Sequence, residues 1–362
     1  MIMSIKSKLI KIYHHRPFWH EIKQLKEERK DYWEEAVKRF EEEKPTHGNL
    51  SEYREALDKN RVAYDEYMLF FQFWRLDKKQ WKDYISETEM RCIYRKTVDS
   101  SVRGNFFNKA KTLQAFRKYV HRKWISAKDV SFEVFSEFVN SLDCIVKPVY
   151  GSLGEGVMKL KKEESKDLPQ LYKYCRENIM IVEEFVTGCE ELESFNPPTL
   201  NTIRVITISK DGKCEPIAAL FRMGRGDQVV DNTSQGGIFV MIDVDSGVTI
   251  KEGTDKDGNK YTCHPITGKN ITGYRIPLWD KIIKACKELT TMLPEIVFVG
   301  WDVCLLPNGE VELIEANSTP NVKYIQESLK MGLKPRISAL GKEVLGYDPL
   351  KLISVWSRSY VD

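Results

Sequence analysis

Long apolar runs are missing from this sequence of 362 residues. No segment approaches the roughly 18 consecutive apolar residues that a membrane-crossing helix requires. The basic opening MIMSIKSKLIKIYHHR contains neither an uninterrupted apolar stretch nor a small-residue cleavage site, so secretion is not expected. Charge of one sign is missing too. The 56 Lys and Arg stand against 53 Asp and Glu, a formal net charge of +3, which gives no electrostatic basis for a nucleic-acid partner. Eight cysteines never form a C-x-x-C pair, and two of them, Cys144 in DCIVKP and Cys304 in DVCLL, sit in apolar runs. Buried free thiols in a reducing cytoplasm are the expectation. Repeats, low-complexity tracts, metal-ligand spacing among the six histidines and a Ser, His and acid trio are also absent, as are the H-R-D and D-F-G signatures of protein kinases. What is present, 42% hydrophobic and 30% charged residues, describes a globular chain long enough for two or three domains.

The first hundred or so residues read as helices, and residues 1–100 are taken as a helical N-terminal region. HEIKQLKEERKDYWEEAVKRFEEEK places Ile22, Leu25, Tyr32, Trp33, Ala36, Val37 and Phe40 at near-helical spacing among charges, and KPTHGN supplies the stop. A second helix is expected from Ser51, carrying Tyr53, Leu57, Tyr64, Tyr67, Met68, Phe71 and Trp74. Such an aromatic stripe is more often core than ligand site. Residues 108–140 read as a helix with an approach loop. From about residue 143 short strand-like runs alternate with Gly and Asn-Gly punctuation, with a helix expected from Trp279 to Met292 and another from Lys323.

CIVKPVYGSLGEGVMKL reads as strand, glycine-rich turn, strand. A Walker loop and a dinucleotide fingerprint both need a helix after the glycines, so neither fits. A glycine loop between two strands is a flap. The backbone N–H groups around Gly151, Ser152, Leu153, Gly154 and Gly156 could close over nucleotide phosphates, with Lys147 reaching in from its strand. A loose hairpin with a snorkelling lysine is the bland reading of the same residues, and the flap alone does not decide between them.

VFVGWDVCLLPNGEVELIEANSTPN is more specific. A two-residue turn at Asn308-Gly309 would pair Pro307 with Glu310 and bring Asp302 opposite Glu315. Two carboxylates facing each other across a ladder invite a cation. Asn317 projects from the same face as Glu315, and an all-oxygen set suits magnesium. Between these motifs, IMIVEEFVTGCEELESF ends a strand in paired acids, with Glu190 and Glu191 after a Thr-Gly turn. Carboxylates there could take the amino and ribose groups of a nucleotide, but on these residues alone a solvated acidic loop is the stronger reading. Arg204 in TIRVITI, with Arg222 and Arg225 at the end of IAALFRMGR, requires anions, either structural carboxylates or a substrate phosphate or carboxylate. DNTSQGG, from Asp231 to Gly237, is a polar substrate loop or a turn.

Lys147 with a strand-flanked glycine loop, then VEEFV, then an arginine strand, then D-x12-E-x-N across a hairpin, resembles the ATP-grasp superfamily over about Asn108–Asn321. The helical front and RLDKKQWKDYISETEMRCIYRK are similar to its sugar-transfer-associated branch, found with bacterial polysaccharide genes. The resemblance implies an α+β fold of two lobes sandwiching ATP. Residues 101–362 would form it, with a glycine-flap lobe at about 140–185, a metal-binding lobe at about 186–330 and C-terminal helices over 323–362. It further implies that Lys109, in FNKAKT, and Lys147 contact ATP phosphates. Glu183 would take the adenine amino group, Glu184, Phe185 and Val186 would form the hinge, and Glu190 would bind ribose. Asp302, Glu315 and Asn317 would hold two Mg2+ ions, or Mn2+ in their place. Arg204, Arg222, Arg225 and Lys147 would serve catalysis. Most relatives carry Asp-Lys where this chain has Asn108-Lys109.

The reaction so implied is ATP-dependent carboxylate–amine ligation through an acyl phosphate, on a sugar, uronic acid or amino acid of surface polysaccharide synthesis. An association with glycosyltransferase machinery is part of the same expectation. Two alternatives share the scaffold: a small-molecule kinase, distinguished by ADP release without a second, amine substrate, and a nucleotide-binding partner of a glycosyltransferase with little turnover.

Overall fold

The charge-rich amino-terminal stretch forms one long helix, α1 (Arg16–Glu43), in the computed structural model, which describes residues 16–98, 102, 106–151, 156–164, 166–226, 231 and 236–353. The chain divides into two compact units. One comprises residues up to Ile93, Val322–Ala339 and the segment from Asp348, and the other Tyr94–Asn321 with Leu340–Tyr347.

In the first unit α2 (Leu50–Asn60) starts at Asn49, whose side chain accepts from Glu52 N, and ends where Arg61 turns left-handed at φ 53°. The single helix expected through Trp74 is therefore broken. The buried Asn60 amide donates to the Trp81 carbonyl, and Tyr53 donates its hydroxyl to the Val62 carbonyl, so the chain leaves the helix there. It continues as a π-helical turn (Glu66–Phe70) and a 3-10 turn (Phe73–Arg75). The aromatic stripe is core nonetheless: Tyr53, Tyr64, Tyr67, Phe71, Phe73 and Trp81 are all buried together. The helix Lys323–Leu329 belongs to this unit, and its Gln326 amide exchanges two hydrogen bonds with the Ile85 backbone.

The second unit holds two antiparallel sheets. The smaller has the order β1-β4-β2-β3, from β1 (Trp124–Ser126), β2 (Cys144–Pro148), β3 (Met158–Leu160) and β4 (Met180–Glu184). Side chains alternate across a strand. Cys144, Val146 and Val182 therefore pack under the helices Phe132–Ser141 and Leu168–Glu177 with Phe135, Val139 and Cys175, while Lys147 and Glu183 share the opposite face. The segment 108–140, expected to be a helix and a loop, contains β1 and a second helix as well.

The larger sheet has the order β11-β10-β5-β6-β7-β8-β9. Its strands are β5 (Thr202–Lys210), β6 (Lys213–Met223), β7 (Ile238–Ile242), β8 (Thr249–Thr254), β9 (Lys260–Tyr261), β10 (Phe298–Leu305) and β11 (Val311–Asn317). Ile203, Val205, Phe221, Trp301 and Val303 form one face with Ile282, Cys286 and Leu289 of the helix Trp279–Met292. The alternate positions put Arg204, Arg222, Asp302 and Glu315 on the other face. The six-residue β8 and the two-residue edge strand β9 were not anticipated. All eight cysteines are free thiols and seven are buried. Among the described residues, no helix is long and apolar enough to cross a membrane.

Candidate functional site

Lys109 begins the helix α3 (Lys109–Ala115), capped by the Asn108 side chain on Lys111 N, and its own backbone N–H donates to Val149 just past β2. Its Nζ donates to the Gly151 carbonyl at 2.6 Å and lies 3.9 Å from Glu315 Oε1. Burial lowers the Lys109 pKa, with Glu315 pulling the other way. Gly151 adopts φ 135° and Gly156 φ 69°. Ser152, Leu153 and Gly154 lie outside the described residues.

Lys147 Nζ stands 2.9 Å from Glu183 Oε1 as an ionic contact without hydrogen-bond alignment. Arg122 Nε donates to Glu183 Oε2 at 2.8 Å. Burial alone would raise the Glu183 pKa, but Arg122 and Lys147 outweigh it and hold the carboxyl below its ordinary value. At the end of β4 Glu184 accepts from Lys123 N, and the next residue, Phe185, donates its N–H to Asp143 and lies under Lys159 Nζ, 3.4 Å from the ring centroid. Val186 is half-buried. Cys189 then donates to the Leu305 carbonyl at 2.6 Å, which ties this connection to β10. Glu190 opens a helical turn and is exposed.

The acidic hairpin places Asp302 opposite Glu315 and Gly300 opposite Asn317, as expected, but by a different route. Leu306 N donates to Glu310 and Gly309 N to Leu306, so the turn holds three residues, with Gly309 at φ 76°, and Pro307 does not pair with Glu310. Leu305 pairs with Val311 and Val303 with Leu313. The extra residue Ile314 then bulges out and restores the Asp302–Glu315 pair. Two one-residue offsets cancel.

Asp302 is buried and held by two guanidiniums. Arg204 makes a fork, Nε to Oδ1 at 2.6 Å and Nη2 to Oδ2 at 2.5 Å, and Arg222 Nη1 reaches Oδ2 at 3.1 Å. Against burial, they keep its pKa below the usual 3.8. Arg222 also donates to Asp231 at 3.0 Å, and Asp231 accepts from the backbone and hydroxyl of Thr202. The anion that the Arg204 and Arg222 positions call for is thus a carboxylate of the chain itself. Arg225 stands apart from this group: it donates to Tyr261 Oη at 3.0 Å and lies 3.5 Å from Asp255.

A cavity of about 160 Å3 is lined by Lys109, Lys147, Gly151, Glu183, Glu315 and Asn317 together with the edges of α3 and β11. A larger open groove, about 730 Å3, runs beside Trp279, Lys284 and Lys287 and contains none of these groups. The smaller cavity is the one where cations and carboxylates converge. The Asn317 Nδ2 is buried without a partner. Turning the amide over sets an oxygen there, in the cavity that the Glu315 carboxylate also lines, the donor type that a hard cation takes along with oxygens of substrate and water. Among the described residues, no three His, Cys, Asp or Glu side chains group together as a metal set, and both Asp302 oxygens accept from Arg204 and Arg222.

Sequence reasoning missed Arg122, Glu312 and the burial of Asp231. Arg122 sits two residues before β1, a three-residue strand with no pattern of its own. Asp231 opens a polar stretch, and only its pairing with Arg222 reveals it as interior.

No curated protein matches the sequence. Among solved structures, the chain is similar to the ATP-grasp ligase PsnB complexed with minimal precursor, Mg and ADP (15% identity, 72% of this chain and 61% of that chain, TM-score 0.41). It is also similar to the VanG D-Ala:D-Ser ligase from Enterococcus faecalis (14%, 73% and 64%, TM-score 0.43) and to the ADP complex of purK, N5-carboxyaminoimidazole ribonucleotide synthetase (13%, 63% and 52%, TM-score 0.39). The chain thus spans about half to two thirds of the length of these proteins. A family model described as sugar-transfer associated ATP-grasp matches residues 119–342. That stretch is well over half of the chain, takes in both sheets and starts after Lys109, and on it the chain belongs to the sugar-transfer associated ATP-grasp family.

Proposed function

We propose that this protein is an ATP-dependent carboxylate–amine ligase that works through an acyl phosphate, acting on a sugar, uronic acid or amino acid in surface polysaccharide synthesis. The observation that carries the reading is the single cavity on which Lys109, Lys147, Glu183, Glu315 and Asn317 converge, in a chain of the sugar-transfer associated ATP-grasp family. In this reading Lys109 and Lys147 hold the phosphates as point charges, with the loop from Gly151 to Gly156, including Ser152, Leu153 and Gly154, covering them. Glu183, kept ionised, accepts from the adenine amino group. Glu184, Phe185 and Val186 offer backbone groups to the adenine edge, and Glu190 takes the ribose hydroxyls. Asp302, Glu315 and Asn317 hold magnesium, two ions in the full set and manganese as a substitute, which spreads the charge of the transferring phosphoryl group. Arg204 and Arg222 keep Asp302 ionised and present positive charge beside the reacting oxygens, and Arg225, a third exposed, is available to a substrate anion. The substrate carboxylate attacks the γ-phosphate and displaces ADP, and the amine then displaces inorganic phosphate from the acyl phosphate, losing a proton, to give the amide. In this reading the protein works in the cytoplasm, which its free thiols and its need for ATP support, and the family's link to sugar transfer supports an association with glycosyltransferase machinery.

Hydroxylamine trapping tests this. Purified protein, Mg-ATP and a panel of amino acids, uronic acids and nucleotide-linked uronates are scored for ADP and hydroxamate by mass spectrometry. A hydroxamate that depends on one carboxylate and disappears in Glu315→Gln is the expected result. ADP without hydroxamate identifies a kinase, and binding of Mg-ATP without turnover identifies a nucleotide-binding partner of a glycosyltransferase; either outcome sinks the ligase.

A further inference from the structure

Arg122 is the one arginine that touches both sheets of the second unit among the described residues, and its side chain is only 2% exposed. Nε donates to Glu183 on β4 at 2.8 Å. Nη1 donates to the Leu313 carbonyl at 2.6 Å and to the Glu312 carboxylate, and Nη2 donates to the Ile314 carbonyl at 3.2 Å. Glu312 is fully buried and also receives His121 N at 2.6 Å, so the backbone leading into β1 and the Arg122 side chain grip the same carboxylate.

The two carbonyls are informative. In a regular strand, successive C=O groups point to opposite edges, so one side chain cannot reach both from one side. The extra residue of a bulge turns the backbone and lets it do so. Leu313 and Ile314 are the residues at which the register of β11 shifts, and β11 is the outermost strand of its sheet, with no strand on that side to hold the bulge in place. Without the shift, Ile314 would face Asp302 and Glu315 would fall on the other face of the strand.

We propose that Arg122 is a positioning residue that fixes the Ile314 bulge, and so sets Glu315 across from Asp302, while the same guanidinium orients Glu183. One planar fork then fixes the spacing between the carboxylate assigned to adenine and the carboxylate assigned to magnesium. Only this last, nucleotide-related part rests on the ligase reading above; the bulge does not. A lysine in its place keeps the charge but presents three donors from a single point and cannot span four acceptors on two sheets.

The test uses the full chain with Arg122→Lys and Arg122→Met. Without ligand, hydrogen exchange is followed by mass spectrometry over residues 311–317, with 202–210 of β5 as the internal reference, and folding is checked by circular dichroism. ATP binding is then titrated by calorimetry at stepped Mg2+ concentrations. Arg122→Lys is expected to stay folded, to lose about tenfold protection over 311–317 alone, and to need several times more Mg2+ for half-maximal ATP affinity. Arg122→Met is expected to exceed both effects. If Arg122→Lys matches the wild type in exchange and in Mg2+ requirement, the arginine only neutralises Glu183 and Glu312 and the proposal is overturned. Should Arg122→Met not fold, the lysine variant alone decides. A wild type that binds no Mg-ATP brings down the nucleotide reading, whereas the exchange comparison still judges the bulge.

Discussion

Asp302 and Glu315 share one proposed task and differ in everything else. Asp302 is buried between Arg204 and Arg222, so its charge is part of how the sheet is neutralised. Glu315 has a side chain 36% exposed, and its nearest cation is Lys109 at 3.9 Å. Asp302→Asn leaves the part-buried Arg204 and the buried Arg222, which keeps Asp231, facing a neutral amide, a change expected to destabilise by about 2–4 kcal/mol. Glu315→Gln takes from Lys109 only a partner at 3.9 Å and leaves its Nζ on the Gly151 carbonyl, and is expected to cost about 1 kcal/mol or less. Both are expected to abolish ADP formation. Urea unfolding alongside the turnover assay checks the pair: equal destabilisation by the two variants would mean that the arginines do not depend on Asp302.

At the scale of elements, the connection between β6 and β7 decides where Arg222 finds its second carboxylate. A Cβ on Gly237 would lie 2.3 Å from the Asp231 carbonyl oxygen and 3.0 Å from that of Met223, backbone atoms that cannot swing aside. Gly237→Ala is therefore expected to push Asp231 off Thr202 and Arg222, and to lower ATP turnover by about tenfold or more in a protein that still folds. Wild-type turnover in the alanine variant would show that Asp231 does not matter to the site. The strands that bear the site were legible because they are long or strongly apolar: TIRVITIS, IAALFRM and VFVGWDVCLL carry their own pattern. The helix Trp279–Met292 was legible from its bounds. The Asp302–Glu315 pairing was legible too, although its derivation needed a tight turn that the hairpin does not have, because turn length and bulge shifted the register by equal and opposite steps. The three-residue β1, the strands β8 and β9 and the break after Asn60 were not legible. Strands β8 and β9 pair nearby, Ile242 with Thr249 and Thr254 with Lys260, but TIKEGT carries little apolar alternation and β9 has only two residues. By contrast, β1 and the break depend on partners farther along the chain, Glu183 opposite Trp124 and the Trp81 carbonyl on Asn60. Arg122 stayed hidden for the same reason, since all its acceptors lie 61 or more residues away.

Over the whole molecule, each unit buries a carboxyl that titrates near neutrality. In the first, burial pushes Glu66 from its ordinary 4.5 to about 7, against the backbone N–H groups of Glu87 and Ala63. In the second, burial pushes Glu193 to about 8, against the N–H groups of Asn201 and Gly188. A carboxyl whose folded pKa is raised favours the protonated folded state. Its contribution is fully present below about pH 4.5 and is lost as the pH rises through the folded value. Glu183 and Asp302 act with the opposite sign: their stabilisation is complete above the ordinary 4.5 and 3.8 and is lost only in acid. His264, buried and lowered below 6.5, likewise finishes titrating on the acid side. Above pH 6.5, then, a decline in stability isolates the raised carboxyls. Glu193→Gln keeps an oxygen for the Asn201 N–H and removes the titration. Between pH 6.5 and 8 the wild type is expected to lose up to about 1.4 kcal/mol per pH unit relative to this variant. Melting both proteins by calorimetry across that range reads the difference. Because the two units need not unfold together, the slope belongs to the transition of the unit that contains both sheets, while any decline due to Glu66 persists in the variant. Parallel curves for the two proteins would mean that Glu193 is already ionised at pH 6.5 in the fold, with its backbone donors outweighing its burial.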